Sequence, residues 1–301
     1  MSDTGTRTVT LAGGRRLCLA EFGDPRGTPM FYFHGLVSCR LEARLAGATA
    51  SRLGVRLIAP DRPGFGGSDF VPRRRITDWP ADVSAVAARL KLEHFAVLGI
   101  SGGAPYALAC AHAPPPGLVR TGVVSGWGPL HEAGLHQSMP PPIRRLFALE
   151  RRLPALGRWL CRRWARGLEH RPERFLQWIE DHAPEADRRL LRQPPVREAL
   201  LQAHREALRN GIEGLVHECR LLLQPWGFRL QDIAAPVELW HGGQDGIVPV
   251  PVGRAVSRRL PRCHAYFLGA EGHFSLPLRH LPEIVSALTC RTDHEKRPRP
   301  R

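Results

Sequence analysis

Lysine is nearly missing from this 301-residue chain: Lys91 and Lys296 are the only two, so arginine supplies almost all of the 43 basic side chains. Against 28 carboxylates they leave a formal charge of +15, which raises nucleic acid or an anionic membrane as a partner. An arginine skew of this kind also follows from the base composition of a coding genome, so composition alone does not separate the two. Paired cysteines are missing as well. The seven present (Cys18, Cys39, Cys110, Cys161, Cys219, Cys263, Cys290) are odd in number, scattered and never in a C-x-x-C, which argues against a disulfide framework and a zinc site and fits a reducing cytoplasm. No apolar run approaches the roughly 20 residues of a membrane span, and the first residues carry no apolar signal core. There is no internal repeat, no G-x-x-x-x-G-K-[ST] and no strand-led G-x-G-x-x-G, so nucleotide binding has no support. With 43% apolar and 24% charged residues, disorder, collagen-like repeats and coiled coil are excluded as the main architecture.

What is present is an alternation. Residues 8–11 and 16–21 read as strands paired across Ala12-Gly13-Gly14, and residues 30–33, 55–59, 95–100 and 121–124 read as buried strands. Between them, residues 41–53, 79–90 and 104–113 carry apolar side chains at helical spacing. This implies an α/β fold: a mostly parallel central sheet with helices on both faces. The pattern stops for roughly a hundred residues and resumes with strands at 237–240 and 265–268 and helices at 252–260 and 281–289. The break contains helical periodicity at 143–152, 156–168, 171–182 and 196–223, punctuated by prolines. The expected organisation is a core of residues 1–128 and 231–290, an inserted all-helical cap at 129–230, and a basic, disordered tail at 291–301. The charge excess divides as +5 for residues 1–142, +7 for 143–230, zero for 231–290 and +3 for 291–301.

Chemistry is concentrated where the strands end. The strand at 95–100 runs into Gly99-Ile100-Ser101-Gly102-Gly103 and then a helix, a G-x-S-x-G in strand-turn-helix context. A serine at so sharp a turn is strained and needs neighbours almost free of side chain; the helix N-terminus points N–H groups at developing negative charge. A glycine-rich turn whose serine only caps the helix is the alternative. A serine nucleophile needs a base and an orienting acid. Asp245 follows the strand at 237–240, and His273 follows the strand at 265–268 in Gly269-Ala270-Glu271-Gly272-His273. Asp61 and Glu271 compete with Asp245 for the acid's role; Asp61 more naturally ties its own turn, and Glu271 is too near His273 in sequence to orient its ring.

The order Ser, Asp, His resembles that of the α/β-hydrolases, over nearly the whole chain except the tail. Tyr32-Phe33-His34-Gly35 is similar to that family's HG motif after the third strand, and Asp61-Arg62-Pro63-Gly64-Phe65-Gly66-Gly67-Ser68-Asp69 to its D-x-P-G-x-G-x-S segment after the fourth. The resemblance implies catalytic Ser101, Asp245 and His273, and an oxyanion hole formed by the N–H groups of Leu36 and Gly102. A serine where epoxide-opening and dehalogenating relatives carry an aspartate points to acyl transfer. The expected enzyme is a serine esterase acting on a small-molecule acyl substrate, with no cofactor and no metal. Substrate contacts are expected from His34, Gly35 and the cap aromatics Trp159, Trp164, Phe175 and Trp178, with His34 read also as a histidine that supports its own loop. His131-Glu132-Ala133-Gly134-Leu135-His136 carries one residue too many for H-E-x-x-H, which turns its two histidines apart. The stretch 156–164, basic and aromatic, could touch lipid or a polyanion, against the commoner role of a cap helix burying its apolar stripe. Two other readings remain: a proline-releasing aminopeptidase, with Glu173, Glu213 or Glu218 as the cap carboxylate for an amino group, and a binding or signalling protein that keeps the fold without turnover. Neither nucleic acid nor a membrane span is expected, and the charge bears on what approaches the helical insertion rather than on the reaction.

Overall fold

The computed structural model describes residues 5–132 and 134–289, so the expected tail at 291–301 lies outside the described residues. Eight strands form one sheet: β1 (Thr6–Thr10), β2 (Arg16–Gly23), β3 (Thr28–Phe33), β4 (Val55–Pro60), β5 (Phe95–Ile100), β6 (Leu118–Val124), β7 (Val237–Gly242) and β8 (Cys263–Leu268), in the order β1-β2-β4-β3-β5-β6-β7-β8. β2 alone runs against the rest, pairing antiparallel with both β1 and β4; β4, β3, β5, β6, β7 and β8 are parallel neighbours. The helices are α1 (Arg44–Arg52), α2 (Trp79–Arg89), α3 (Ala104–His112), α4 (Pro141–Arg152), α5 (Pro154–His170), α6 (Pro172–His182), α7 (Glu185–Leu191), α8 (Pro194–Ala207), α9 (Glu213–Leu223), α10 (Val250–Arg259), α11 (Ser275–Arg279) and α12 (Leu281–Thr289).

The central strands are apolar throughout because both their faces are covered. Successive side chains alternate across the sheet: Met30, Leu57, Ala96 and Leu98 meet α1 and α12 on one face, and Phe31, Ile58, Phe95 and Val97 meet α2, α3 and α10 on the other. The fold is therefore α/β, a mostly parallel sheet with helices on both faces. Between β6 and β7 the described residues contain helices and turns and no strand.

Three details depart from the sequence reading. The helix expected over 196–223 is two helices, α8 and α9, separated at Gly211, whose φ of +93° lies in the left-handed region. In the gap, Asn210 donates its side-chain amide to the Gly66 carbonyl at 2.8 Å, so the break is tied to the loop after β4. The helix expected from residue 41 begins as a 3₁₀ turn at Arg40–Ala43 before α1. Helices α7 and α11 are unanticipated, being too short at seven and five residues to show a period.

A buried charge cluster joins the helical segment to the sheet. Glu218 on α9, fully buried, pairs with Arg62 at 3.1 Å, with Arg74, and with the Tyr106 hydroxyl at 2.8 Å. Burial pushes the Glu218 carboxyl up, but the two guanidinium groups outweigh it and hold the carboxyl below its ordinary 4.5. A carboxyl with a lowered folded-state pKa stabilises the fold at neutral pH, and this contribution is lost as pH falls through that lowered value. Arg62 also donates to the carbonyls of His34 and Gly35, at 2.9 Å for the latter. Arg62→Leu should therefore cost roughly 3–5 kcal/mol in urea unfolding, because it leaves a buried carboxylate short of a partner. A loss below about 1 kcal/mol would mean that Arg74 alone neutralises Glu218.

Candidate active site

Strand β5 ends against a backbone crossing that only glycine allows. A Cβ on Gly103 would stand 2.1 Å from the Phe33 carbonyl oxygen, and one on Gly99 2.5 Å from the Gly103 oxygen. Packed this closely, the chain turns in one residue: Ser101 takes φ +51°, a conformation that costs a non-glycine residue about 1–3 kcal/mol unless its surroundings hold it. The turn leads into α3, with Pro105 in its first turn where a missing N–H is harmless.

The loops after β7 and β8 meet nearby. Nδ1 of His273 donates to Oδ2 of Asp245 at 2.8 Å, and both side chains are buried. The other oxygen of Asp245 accepts the N–H groups of Ile247 and Val248 at 2.9 and 2.8 Å, which fixes the carboxylate's orientation. His241 comes within 3.7 Å of the same carboxylate but is held to the Val248 carbonyl at 2.7 Å. Asp61 instead gathers Arg40 and the Gly67 N–H around its own turn, and Glu271 faces Arg279 and His280, so neither competitor reaches the imidazole.

A carboxylate that sequence reasoning missed supports the histidine loop from the far side. Asp187 on α7 accepts the N–H of His273 at 2.8 Å through one oxygen, and those of Phe274 and Ser275 at 3.0 and 2.7 Å through the other. Gly272 leaves it room, since a Cβ there would meet the Asp187 carboxylate at 2.4 Å. At a sequence separation of 86, no local pattern announces the contact between Asp187 and His273. Burial disfavours the His273 imidazolium, but Asp245, Asp187 and Glu42 together outweigh it and hold its pKa above the ordinary 6.5.

The turn after β3 faces the serine. His34 is fully buried; its Nε2 accepts the Arg62 N–H at 3.2 Å, so its Nδ1 donates to the Gly35 carbonyl at 2.9 Å. Burial and the Arg62 charge push its pKa well down, in keeping with that neutral tautomer. His34 thus holds the loop, in line with the loop-supporting reading, and is not among the residues bordering the cavity, which corrects the alternative expectation of a substrate contact. Glu42, also missed, accepts the Gly35 N–H at 3.1 Å and the Tyr32 hydroxyl at 2.8 Å. A Cβ on Gly102 would lie 2.8 Å from the Leu36 nitrogen, so the N–H groups of Leu36 and Gly102 are close neighbours beside Ser101.

Ser101, His273, Gly35 and Leu36 border one cavity of about 440 Å³ whose remaining wall is mainly apolar. Trp164, Phe175 and Trp178 line it as expected. Trp159 does not: it lies on the outer side of α5, 56% exposed. The carboxylates suggested for an amino group are engaged elsewhere, Glu173 with Arg205, Glu213 with Arg162 and Glu218 in the buried cluster. The carboxylates that do border the cavity, Asp187 and Glu42, both hold backbone N–H groups.

The alpha/beta hydrolase family model matches residues 27–287 of the sequence. The chain belongs to the alpha/beta hydrolase family. Solved members with the same fold include a hydrolase from Pseudomonas aeruginosa (14% identity over 96% of this chain and 100% of that one, TM-score 0.70). Two others are an esterase from Exiguobacterium antarcticum (16%, 94% and 98%, 0.66) and a thermophilic esterase from Thermogutta terrifontis (20%, 94% and 96%, 0.66). No curated protein matches the sequence. At these identities the likeness to this alpha/beta hydrolase is one of fold.

Asp187→Ala should destabilise the protein by at least about 2 kcal/mol in urea unfolding, since it strips three buried N–H groups of one acceptor. An unchanged midpoint would mean that the His273 loop does not depend on α7.

Proposed function

We propose that this alpha/beta hydrolase is a serine esterase that cleaves a carboxylic ester or related acyl bond of a small molecule. The observation that supports it most is the buried Asp245–His273 hydrogen bond of 2.8 Å, bordering the same cavity as a serine held at a strand-to-helix turn. In this reading Nε2 of His273 takes the proton of the Ser101 hydroxyl as its oxygen adds to the acyl carbonyl. Asp245 keeps the Nδ1–H tautomer and stabilises the imidazolium. The N–H groups of Leu36 and Gly102 receive the oxyanion, each contributing about 3–4 kcal/mol to the transition state. His273 then gives the proton to the leaving alcohol; a water molecule, deprotonated by His273, adds to the acyl carbonyl, and the imidazolium returns that proton to Oγ of Ser101 as the acyl–oxygen bond breaks and the acid departs. Residues 129–230 serve as a cap over the reaction centre, and the apolar walls formed by Trp164, Phe175 and Trp178 favour an apolar acyl group.

The aminopeptidase alternative is weakened because Glu173, Glu213 and Glu218 are engaged elsewhere. A fluorophosphonate should label the wild type and fail to label Ser101→Ala, with ester turnover lost in parallel. Absence of labelling in the wild type defeats the esterase reading, and labelling without turnover on any acyl panel favours a binding protein. Asp245→Asn should lower kcat on the order of ten-thousandfold; near-normal activity would move the acid's role elsewhere.

The pH dependence follows from the same imidazole. His273 works as a base only when neutral and its pKa is raised, so kcat/KM should climb along an acidic limb with its midpoint above 6.5. A midpoint below 6.5 would contradict the role given to the surrounding carboxylates.

A further inference from the structure

Helix α5 has three faces rather than two. Gly157, Cys161, Ala165 and Leu168 are buried, and Cys161, Ala165 and Leu168 pack against α8 and α9, which is the apolar stripe a surface helix ordinarily hides. Leu156, Leu160 and Trp164 recur every four residues within an arc of about 80° and point outward, 43%, 39% and 40% exposed. Leu153 just before the helix and Trp159 beside the arc are each 56% exposed. Arg158, Arg162 and Arg166, again every four residues, dominate the third face, which also carries the exposed Glu169 near its C-terminal end. The apolar arc is continuous with the cavity: Trp164 lines it, as does the exposed Trp178 on α6.

The charge around this arc is one-sided. Among the described residues no carboxylate lies within ion-pair distance of Arg144, Arg145, Arg152, Arg158, Arg163 or Arg166, whereas Arg162 pairs with Glu213 at 2.8 Å. A second copy of the chain laid on this face would oppose arginine to arginine, because a two-fold contact brings the same patch against itself. An anionic lipid surface offers the complement: phosphates for the guanidinium groups and an acyl layer for leucine and tryptophan, the pairing that characterises helices lying in a membrane interface.

We propose that the outer face of α5 docks on an anionic lipid surface, which sets the cavity mouth at Trp164 and Trp178 against the acyl phase. The docking stands on the exposed arc and its arginines alone. The corollary, that acyl substrate enters the cavity from that phase, rests on the esterase reading above.

The test uses the full chain and flotation with two kinds of vesicle, phosphatidylcholine alone and phosphatidylcholine with about a third phosphatidylglycerol. The expected result is binding to the anionic vesicles, at least tenfold weaker on the neutral ones and in 0.5 M NaCl. Leu156→Glu/Leu160→Glu and Arg158→Glu/Arg166→Glu should each lose binding at least tenfold while hydrolysing a short soluble ester like the wild type. Ser101→Ala should bind as the wild type does, so failure of the esterase reading leaves the docking result interpretable. Absence of wild-type binding overturns the proposal. Binding that survives Leu156→Glu/Leu160→Glu but not Arg158→Glu/Arg166→Glu also overturns it, since a purely electrostatic polyanion contact would behave that way. So does a dimer in light scattering that Leu156→Glu/Leu160→Glu splits, which would assign the face to a second copy.

Discussion

The ion cluster around Glu218 is the constraint on which the rest of the architecture turns. A carboxylate buried among aromatic rings is tolerable only with its countercharges in place, and here those come from the segment after β4, Arg62 and Arg74, while the carboxylate comes from α9. The helical segment therefore cannot separate from the sheet without exposing or unpairing buried charges. The same guanidinium that neutralises Glu218 also accounts for the carbonyls of His34 and Gly35. One arginine thus fixes at once where α9 sits and how the turn bearing the Leu36 N–H faces Ser101. The fit is close elsewhere along this seam: Gly214 at the start of α9 lies against Gly64, where a Cβ would come within 2.1 Å of the Gly64 oxygen.

Given that frame, the electrostatics of the site have a consistent direction. The cavity is mainly apolar, and the carboxylates bordering it accept backbone N–H groups, which fixes their orientation. Asp245, Asp187 and Glu42 approach His273 from three separate elements, the β7 loop, α7 and the turn before α1. All three favour an imidazolium, the species that forms when a base accepts a proton from serine. Under the esterase reading, this field would be in place before substrate arrives.

How much of this was legible in the sequence depended on distance along the chain. Ser101 and Asp245 each follow a buried strand and His273 follows the partly exposed edge strand β8; parallel strands deliver their C-terminal ends to one edge of the sheet, so a local pattern was enough to predict that the three lie near one another. The HG turn was legible for the same reason, although His34 proved to be spent on Arg62 and the Gly35 carbonyl rather than on the cavity. Asp187 was not legible: α7 shows no period, and its carboxylate acts on a loop 86 residues away. The break at Gly211 was hidden because apolar spacing continues in phase through both flanking helices, and only the left-handed φ of one glycine marks it. Trp159 exposes a different limit. Helical spacing states that an apolar side chain belongs to a face but not whether the face meets protein, and α5 has two apolar faces of which the fold covers one.

The excess of arginine looks different once its partners are traced. From α7 through α9 the arginines are matched: Arg188 and Arg189 meet Glu185, Arg192 and Arg197 meet Glu180, Arg205 meets Glu173, Arg209 meets Glu206, and Arg220 meets Glu150. The exposed pairs among them, such as Arg189 with Glu185 and Arg205 with Glu173, contribute little individually to stability, but together with the pairs on buried Glu150 and Glu180 they cancel the field of that half of the helical segment. Among the described residues of the helical segment, the arginines without an ion pair are those of α4, those of α5 other than Arg162, and Arg171 and Arg174 around α6; on α5 they share a helix whose leucine and tryptophan are also left uncovered. An exposed apolar patch weakens solubility and a cluster of like charges weakens folding, so each alone is a liability for the free protein. Occurring together on one helix, beside the mouth of an apolar cavity, they have a common physical explanation in a surface that is itself both anionic and apolar.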